Sequence, residues 1–543
     1  MKDLFLGLDC STQSLTGLII DFKSRKVIYR DVVNFDEELP HYRTLNGVIY
    51  LDNNNTIHSY PLMWIEALEL LFTKFCNDDI PLFEIKSFSG SAQQHGTVYL
   101  NAKFESVLLN LDIKKSLVSQ LKPTLSELTS PIWMDSSTSK QCEEIRDKLG
   151  GLKSSVSLLG SDIVERFSGP QIRKFFQENL QKYNHTTIIH LVSSFLASIL
   201  LGKNAPIDHG DGAGMNLMNI MTKEWDDRAL EATAPSLKNK LPSLSFSQAI
   251  IGNISTYFVK KYGFNPDTNL IVWSGDNPSS LIGVGLIKKG MATISLGTSD
   301  TYFSYLQNLH LDYNGEGHVF GAPTGDYMSL ICFKNGSLAR EKVKNKFKLN
   351  WESFTKILNK TPPGNNGKIM LPYFFPEIVP KVLKPKVYRF GFDEKDIYGN
   401  IRGIIEAQFL AMRLHSKWIG EKPTEIYTTG GASVNEEILQ VLANIFNAKV
   451  RMFENTDSAA LGAALRAIKT YYDTKNEKKS WNEIIEKFIN FQNSIIIEPN
   501  TKCIELYDDM INLYDKYERF ILQNGENPES ARLQFIKRYY KLF

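Results

Sequence analysis

Short apolar runs and longer amphipathic stretches alternate along this chain. Residues 4–8, 15–22 and 27–33 are apolar runs of strand length broken by polar turns, which predicts a three-stranded meander. Residues 60–76 carry apolar side chains at helical spacing, and 83–90 reads as the next strand. A polar cluster at 133–138 opens a helix running to Leu149. The most apolar segment, 186–201, is interrupted by His190, Ser193, Ser194 and Ser198 and is short for a membrane span, so a buried helix is predicted there. The run from Ile271 closes in Gly275-Asp276-Asn277-Pro278. Asn277 is placed to cap a helix whose first residue is Pro278, because proline lacks the N–H that a first turn leaves unused. Later, Ile401, Ile404, Ile405, Phe409 and Met412 share one helical face, and 425–435 is a strand running into Gly430-Gly431 and a helix. Residues 450–453 form a short strand, 457–465 a helix of small residues, and a charged helical tail begins near Cys503. Strands alternating with helices predict an α/β architecture with mixed sheets.

One pattern occurs twice. Asp9-Cys-Ser-Thr-Gln-Ser14 and Ser295-Leu-Gly-Thr-Ser-Asp300 each interrupt two apolar strands with hydroxyls and small residues. A repeat of this kind predicts two related domains, each presenting a hairpin to a shared cleft. Spacing alone does not separate this from a chance likeness of two short turns. Such turns suit a phosphate held by main-chain N–H groups, and Asp276, at a strand-to-helix turn, is placed to act beside it as a base. There is no GxxxxGK[ST] loop, nor a GxGxxG at a strand–helix junction, so the commoner nucleotide folds are disfavoured. Gly430-Gly431 admits either a tight turn or a close approach of backbone to a nucleotide. Gln93-Gln94-His95 and Trp133-Met134-Asp135 gather polar groups fit for a polyhydroxylated substrate, although each also reads as a satisfied turn or core residue.

Composition narrows the partners. The 543 residues are 43% hydrophobic and 22% charged with a net charge of +2, which describes a soluble protein without a nucleic-acid or membrane footprint. Five cysteines lie far apart, odd in number and without a CxxC pair, as expected of reduced thiols in the cytoplasm. Asp9 ends the first apolar run and no small-residue cleavage site follows, so no secretory leader is expected.

Taken together and in order, Asp9-x-Ser-Thr-Gln-Ser14, Gly90-Ser-Ala-Gln-Gln-His-Gly96, Ile132-Trp-Met-Asp-Ser-Ser-Thr138, Glu165-Arg-Phe-Ser-Gly-Pro-Gln171, Gly275-Asp-Asn-Pro278, Ser295-Leu-Gly-Thr-Ser-Asp300, Cys332-Phe-Lys-Asn-Gly-Ser-Leu-Ala-Arg340 and Gly430-Gly-Ala-Ser433 resemble the FGGY carbohydrate kinases. Within them the likeness is to the eukaryotic branch acting on xylulose, and it runs from Leu4 to about Ala467. The resemblance implies two duplicated ribonuclease H-like domains, as in actin and hexokinase, with an active-site cleft between them. It divides the chain into a sugar-binding domain over 1–285, a nucleotide-binding domain over 286–500 and a helical tail over 501–543. It implies ATP-dependent phosphorylation of D-xylulose to D-xylulose 5-phosphate with Mg²⁺, in a cytoplasmic monomer or homodimer. Neighbouring readings are a kinase for ribulose or another ketose or polyol, and a non-catalytic sugar binder of the same fold.

Carried over by motif, Asp276 corresponds to the general base and Asp9 to the acid that positions metal and phosphate. Gln94, His95, Arg166, Asp276 and Asn277 correspond to ketose contacts. Ser11, Thr12, Gln13, Gly297, Thr298 and Ser299 belong to the phosphate hairpins, and Trp351, Gly430, Gly431, Ala432 and Asn435 to the nucleotide pocket. Two departures stand out. Many relatives have a lysine just after the first hairpin where this chain has Leu15-Thr16, and Asp208 and Asp211 are rival carboxylates, of which Asp211 reads as a structural turn residue near the cleft.

Overall fold

The computed structural model describes residues 3–51, 55–452, 457–489 and 495–540. A first sheet contains β1 (Leu4–Cys10), β2 (Ser14–Asp21), β3 (Lys26–Asn34), β4 (Ile85–Ala92), β5 (Ile250–Asn253), β6 (Asn269–Ile271) and β7 (Ser274–Gly275). β1, β2 and β3 form the antiparallel meander, β4 joins β1 in parallel, and β6 and β7 join β4 in parallel. The second sheet repeats that plan. β8 (Met291–Leu296), β9 (Asp300–Leu306) and β11 (Tyr327–Phe333) are antiparallel, while β12 (Glu425–Thr429) and β13 (Lys449–Met452) continue from β8 in parallel. β10 (His318–Gly321) and β14 (Ile496–Ile497) are its edges. The duplication expected from two short hairpins is therefore a duplication of whole sheets.

Seven helices matter for the site: α1 (Pro61–Asn77), α2 (Asp276–Gly283), α3 (Ile397–His415), α4 (Glu436–Phe446), α5 (Ser458–Thr474), α6 (Ile504–Leu522) and α7 (Glu529–Tyr539). Alternation along β1 sends Leu4, Leu6 and Leu8 into one core with Leu68, Leu71 and Phe72 of α1. Phe5 faces the other way, into a core with Ala460, Leu461 and Ala464 of α5. Thus α5, late in the sequence, lies on the first sheet. It gets close because glycines make room: a Cβ on Gly462 would stand 1.8 Å from the Ser279 carbonyl oxygen, and one on Gly283 1.8 Å from that of Ser458.

The second core gathers Ile294 of β8, Ile401 and Ile405 of α3, and Ile438 and Leu442 of α4. Tyr507, Met510, Tyr514 and Tyr517 of α6 and Phe535 of α7 are buried in the same core, so the charged tail is part of the second half's packing. One element differs from the sequence expectation. Residues 186–201 open as a strand, Thr186–Leu191, paired with Thr97–Asn101, and only Val192–Leu201 is helical. The β-branched run Thr186, Thr187, Ile188 and Ile189 favours extended backbone, which burial alone did not reveal. Phe453, at the end of the predicted strand 450–453, lies outside the described residues. Among the described residues no helix is long and apolar enough to cross a membrane.

Candidate active site

Three parallel strands end together and place two carboxylates. Asp9 pairs across from Ser91 on one side of β4, and Ser274 and Gly275 pair with Ser91 and Ala92 on the other. Asp276 follows as the first residue of α2. Each carboxylate keeps some contact with solvent but is crowded by protein on most sides. Burial first and the nearby Asp9 second raise Asp276 from 3.8 to about 7, with main-chain N–H bonds from Asn277 and Gln94 only partly offsetting them. Burial likewise raises Asp9 to about 6 against a 2.5 Å hydrogen bond from the Ser91 hydroxyl, with Asp457 adding to the rise. A carboxylate at the edge of proton uptake near neutral pH is chemically suited to accept a proton.

The helix start differs from the predicted cap. Gly275 is the N-cap, in extended conformation, and Pro278 lies two residues inside the helix rather than at its start. Asn277 spends its side chain elsewhere: Nδ2 donates to Gln94 Oε1 (2.9 Å) and Asp276 Oδ1 (3.0 Å). Gln94 directs its amide nitrogen toward Asp211 without a formed bond. Asp211 itself is buried, accepts from Ser193 at 2.5 Å, and is pushed well above the usual carboxylate range by burial and Asp208. It sits behind Asp276 in the short helix His209–Ala213.

His95, three residues beyond the end of β4, adopts a positive φ of 74° and is buried. Its Nδ1 bonds the Gly214 carbonyl oxygen at 2.7 Å, and its ring stacks on Phe167 at 4.3 Å. Burial and Arg166 hold this imidazole down at about 3, so it is neutral and presents Nε2. Arg166 lies over the Phe167 ring and bonds His318 of the second half. Gln94, His95, Arg166, Asp276 and Asn277 therefore form one polar group, with Phe167 as its apolar floor.

The first hairpin adjoins this group, its Thr12 hydroxyl donating to Gln93 Oε1 at 3.4 Å. In the first, the Ser11 hydroxyl is tied to Ser14, and Thr12 accepts from Trp133 Nε1 at 2.9 Å, while Gln13 is exposed. Thr16, at the position of the missing lysine, is buried in β2. In the second, Gly297, Thr298 and Ser299 form the turn, and Thr298 and Ser299 are exposed. Gly430 has a φ of 88°, and a Cβ there would meet Leu296 backbone at 2.7 Å, so the double glycine abuts the second hairpin. Gly431 faces open space. Ala432 continues the same turn, and Asn435 caps α4 through Ile438 while its Nδ2 donates to Thr355 at 2.7 Å. Thr355 is one turn beyond Trp351, a residue 40% exposed whose ring lies under Lys344. The predicted residues thus fall into two groups, one around Asp276 and His95 and one around Gly430 and Trp351, and Arg166 of the first reaches His318 of the second half.

Sequence reasoning passed over a strut behind the second hairpin. Asp300 and Arg340, both fully buried, form a two-pronged ion pair (2.7 and 3.0 Å), and Arg340 also donates to Gln408 of α3. Gln408 Nε2 in turn holds the carbonyls of Asn335 and Gly336, whose chain crosses the hairpin. An acid and a base forty residues apart give no local pattern, although both lay inside quoted motifs.

The sequence pattern of the FGGY family of carbohydrate kinases matches this chain twice, its N-terminal domain at 122–283 and its C-terminal domain at 292–471. The chain belongs to this family. Among its relatives, the xylulose kinase of Rattus norvegicus is 38% identical over 534 residues, covering 96% of this chain and 98% of its own length. Xylulose kinase 2 of Arabidopsis thaliana is 42% identical over 487 residues, 86% of each chain. As an FGGY kinase it also shares its fold with gluconate kinase from Lactobacillus acidophilus, at a TM-score of 0.79 and 18% identity over 99% of this chain and 100% of that one.

Proposed function

We propose that the protein is an ATP-dependent kinase that converts D-xylulose to D-xylulose 5-phosphate, with Asp276 as general base. The chemistry rests on one observation: two carboxylates at the ends of parallel strands that flank β4 stand close enough for Asp9 to act on Asp276, which is raised to about 7. The choice of sugar rests on the relatives named xylulose kinase, similar over nearly the whole chain.

In this reading Gln94, His95, Arg166 and Asn277 hold the ketose with its terminal hydroxyl against Asp276. A hydroxyl is a weak nucleophile, so Asp276 takes its proton as the oxygen attacks the γ-phosphoryl group and ADP departs. Asn277, bonded to Asp276 and Gln94, fixes the carboxylate's orientation. With the Ser11 hydroxyl and N–H both tied to Ser14, the Thr12 hydroxyl engaged and the Gly297 N–H given to Asp300, the two turns meet phosphate through the main-chain N–H groups of Thr12, Gln13, Thr298 and Ser299. Gly430, Gly431, Ala432, Asn435 and Trp351 take the nucleoside.

Asp9 fits a magnesium ion: it is a crowded carboxylate with one hydroxyl partner, and no cluster of three metal-ligating side chains exists among the described residues. Mg²⁺ is commonly held by one or two carboxylates together with substrate phosphates, and when bound it neutralises phosphate charge. We place the enzyme in the cytoplasm, consistent with five unpaired cysteines.

The test is ADP release measured over a panel of ketoses and polyols with Mg²⁺. D-xylulose is expected to give the highest kcat/KM. Preference for another sugar overturns the substrate, and absence of ADP release with every sugar overturns the activity.

A further inference from the structure

His318 enters the polar group from the opposite half. It opens β10, an edge strand of the second sheet, yet it is only 3% exposed and packs on Phe167 of the first half at 5.2 Å between rings. Arg166 Nη2 lies 3.1 Å from His318 Nε2. A guanidinium only donates, so Nε2 accepts, and the imidazole carries its single hydrogen on Nδ1. Burial, Arg166 and His95 all press this ring toward the same neutral form.

That Nδ1 hydrogen has no taker. Nδ1 is buried and without a hydrogen-bond partner among the described residues. Around the ring stand Phe167 and Phe320, which offer apolar faces, Arg166, which only donates, and His95, whose Nδ1 is committed to Gly214 and whose accepting Nε2 forms no bond with His318. Buried donors are almost always satisfied, and one left open calls for a specific explanation, such as a functional role or a group that binds there. The oxygen that fits is a hydroxyl of the substrate held by Arg166 and His95.

We propose that His318 is a specificity-determining sugar ligand, donating from Nδ1 to a hydroxyl oxygen of the ketose while its Nε2 orients Arg166. This rests on the reading that Arg166 and His95 hold the sugar. Because β10 belongs to the second sheet, the bound sugar then touches both halves, and its binding favours their closed arrangement.

The test uses whichever panel sugar the wild type turns over fastest, so an error over xylulose does not count against His318. H318L, which removes both ring nitrogens, is expected to raise the sugar KM at least about tenfold while the ATP KM stays within about twofold. H318N keeps one acceptor and one donor and is expected to recover most of that loss. A set of monodeoxy ketoses adds a measurement on the wild type: one analogue is expected to lose affinity about as H318L does, and H318L to be indifferent to it. A sugar KM in H318L within about twofold of wild type overturns the proposal. So do equal rises in the sugar and ATP KM values in both variants, and so does a wild type to which no single hydroxyl matters.

Discussion

Asp276 and Asp9 are two acids that would each prefer to be solvated and apart. Their proximity and crowding keep Asp276 protonated to about pH 7, and the two titrate as a pair. The expected consequence for catalysis is an acid limb: kcat/KM for the sugar should rise through about pH 7 as the base is freed, and a profile flat down to about pH 5 would contradict it. The consequence for stability has the opposite sign. A carboxyl whose folded value is raised above 3.8 binds more protons folded than unfolded, so stability falls as pH rises from near 3.8 to about 7. D276N should therefore lose about 10²–10⁴-fold in turnover while raising the melting temperature at pH 7.5, by about 2–4 °C. The gain should shrink toward pH 4; equal turnover, or a lower melting temperature at both pH values, would count against this account. Asp276 and Asp9 were legible in sequence because strand ends are recognisable. Asn277 was misjudged as a cap because residue type alone does not reveal that Gly275 starts the helix and that Gln94 claims the amide.

Between elements, the contact that matters most is that of α2 with α5. α2 carries Asp276 at its first residue, α5 supports both α2 and β1, and Gly283 and Gly462 let the two helices touch backbone to backbone. G462A adds a Cβ 1.8 Å from the Ser279 carbonyl, so one helix must shift. Overpacking of this kind costs roughly 1–3 kcal/mol, and a displacement of Asp276 approaching 1 Å costs about 10²-fold in rate. Thermal melting and kcat should both fall; a variant matching wild type in both would show that the helices are not tightly fixed. The small-residue helix was readable from Ala459 to Leu465, but not the sheet it would cover, since its partners lie hundreds of residues away. Within 186–201 the opposite held: burial was evident, and periodicity could not tell a buried strand from a buried helix.

Across the whole molecule, the duplicated sheets were legible because each repeats a hydroxyl hairpin, whereas the role of the tail was not. α6 is secured by His415 of α3, which lies between Glu316 (2.8 Å) and Glu518 of α6 (3.0 Å). Burial opposes a charge on His415, but the bonds to Glu316 and Glu518 outweigh it and raise the ring to about 10. A histidine raised in the folded state contributes stability that is fully present below its unfolded value of 6.5 and is lost as pH rises through about 10. H415Q should melt lower at pH 6.5 and show a flatter decline toward pH 10, and an unchanged pH slope would remove the charge from this role.

The central claim, that the joined halves transfer a phosphoryl group from ATP to xylulose, is tested most directly by phosphorus NMR of the protein with ATP, Mg²⁺ and D-xylulose. The account predicts ADP and a new sugar phosphomonoester in equal amounts. ADP with inorganic phosphate alone, the sugar unchanged, would contradict it.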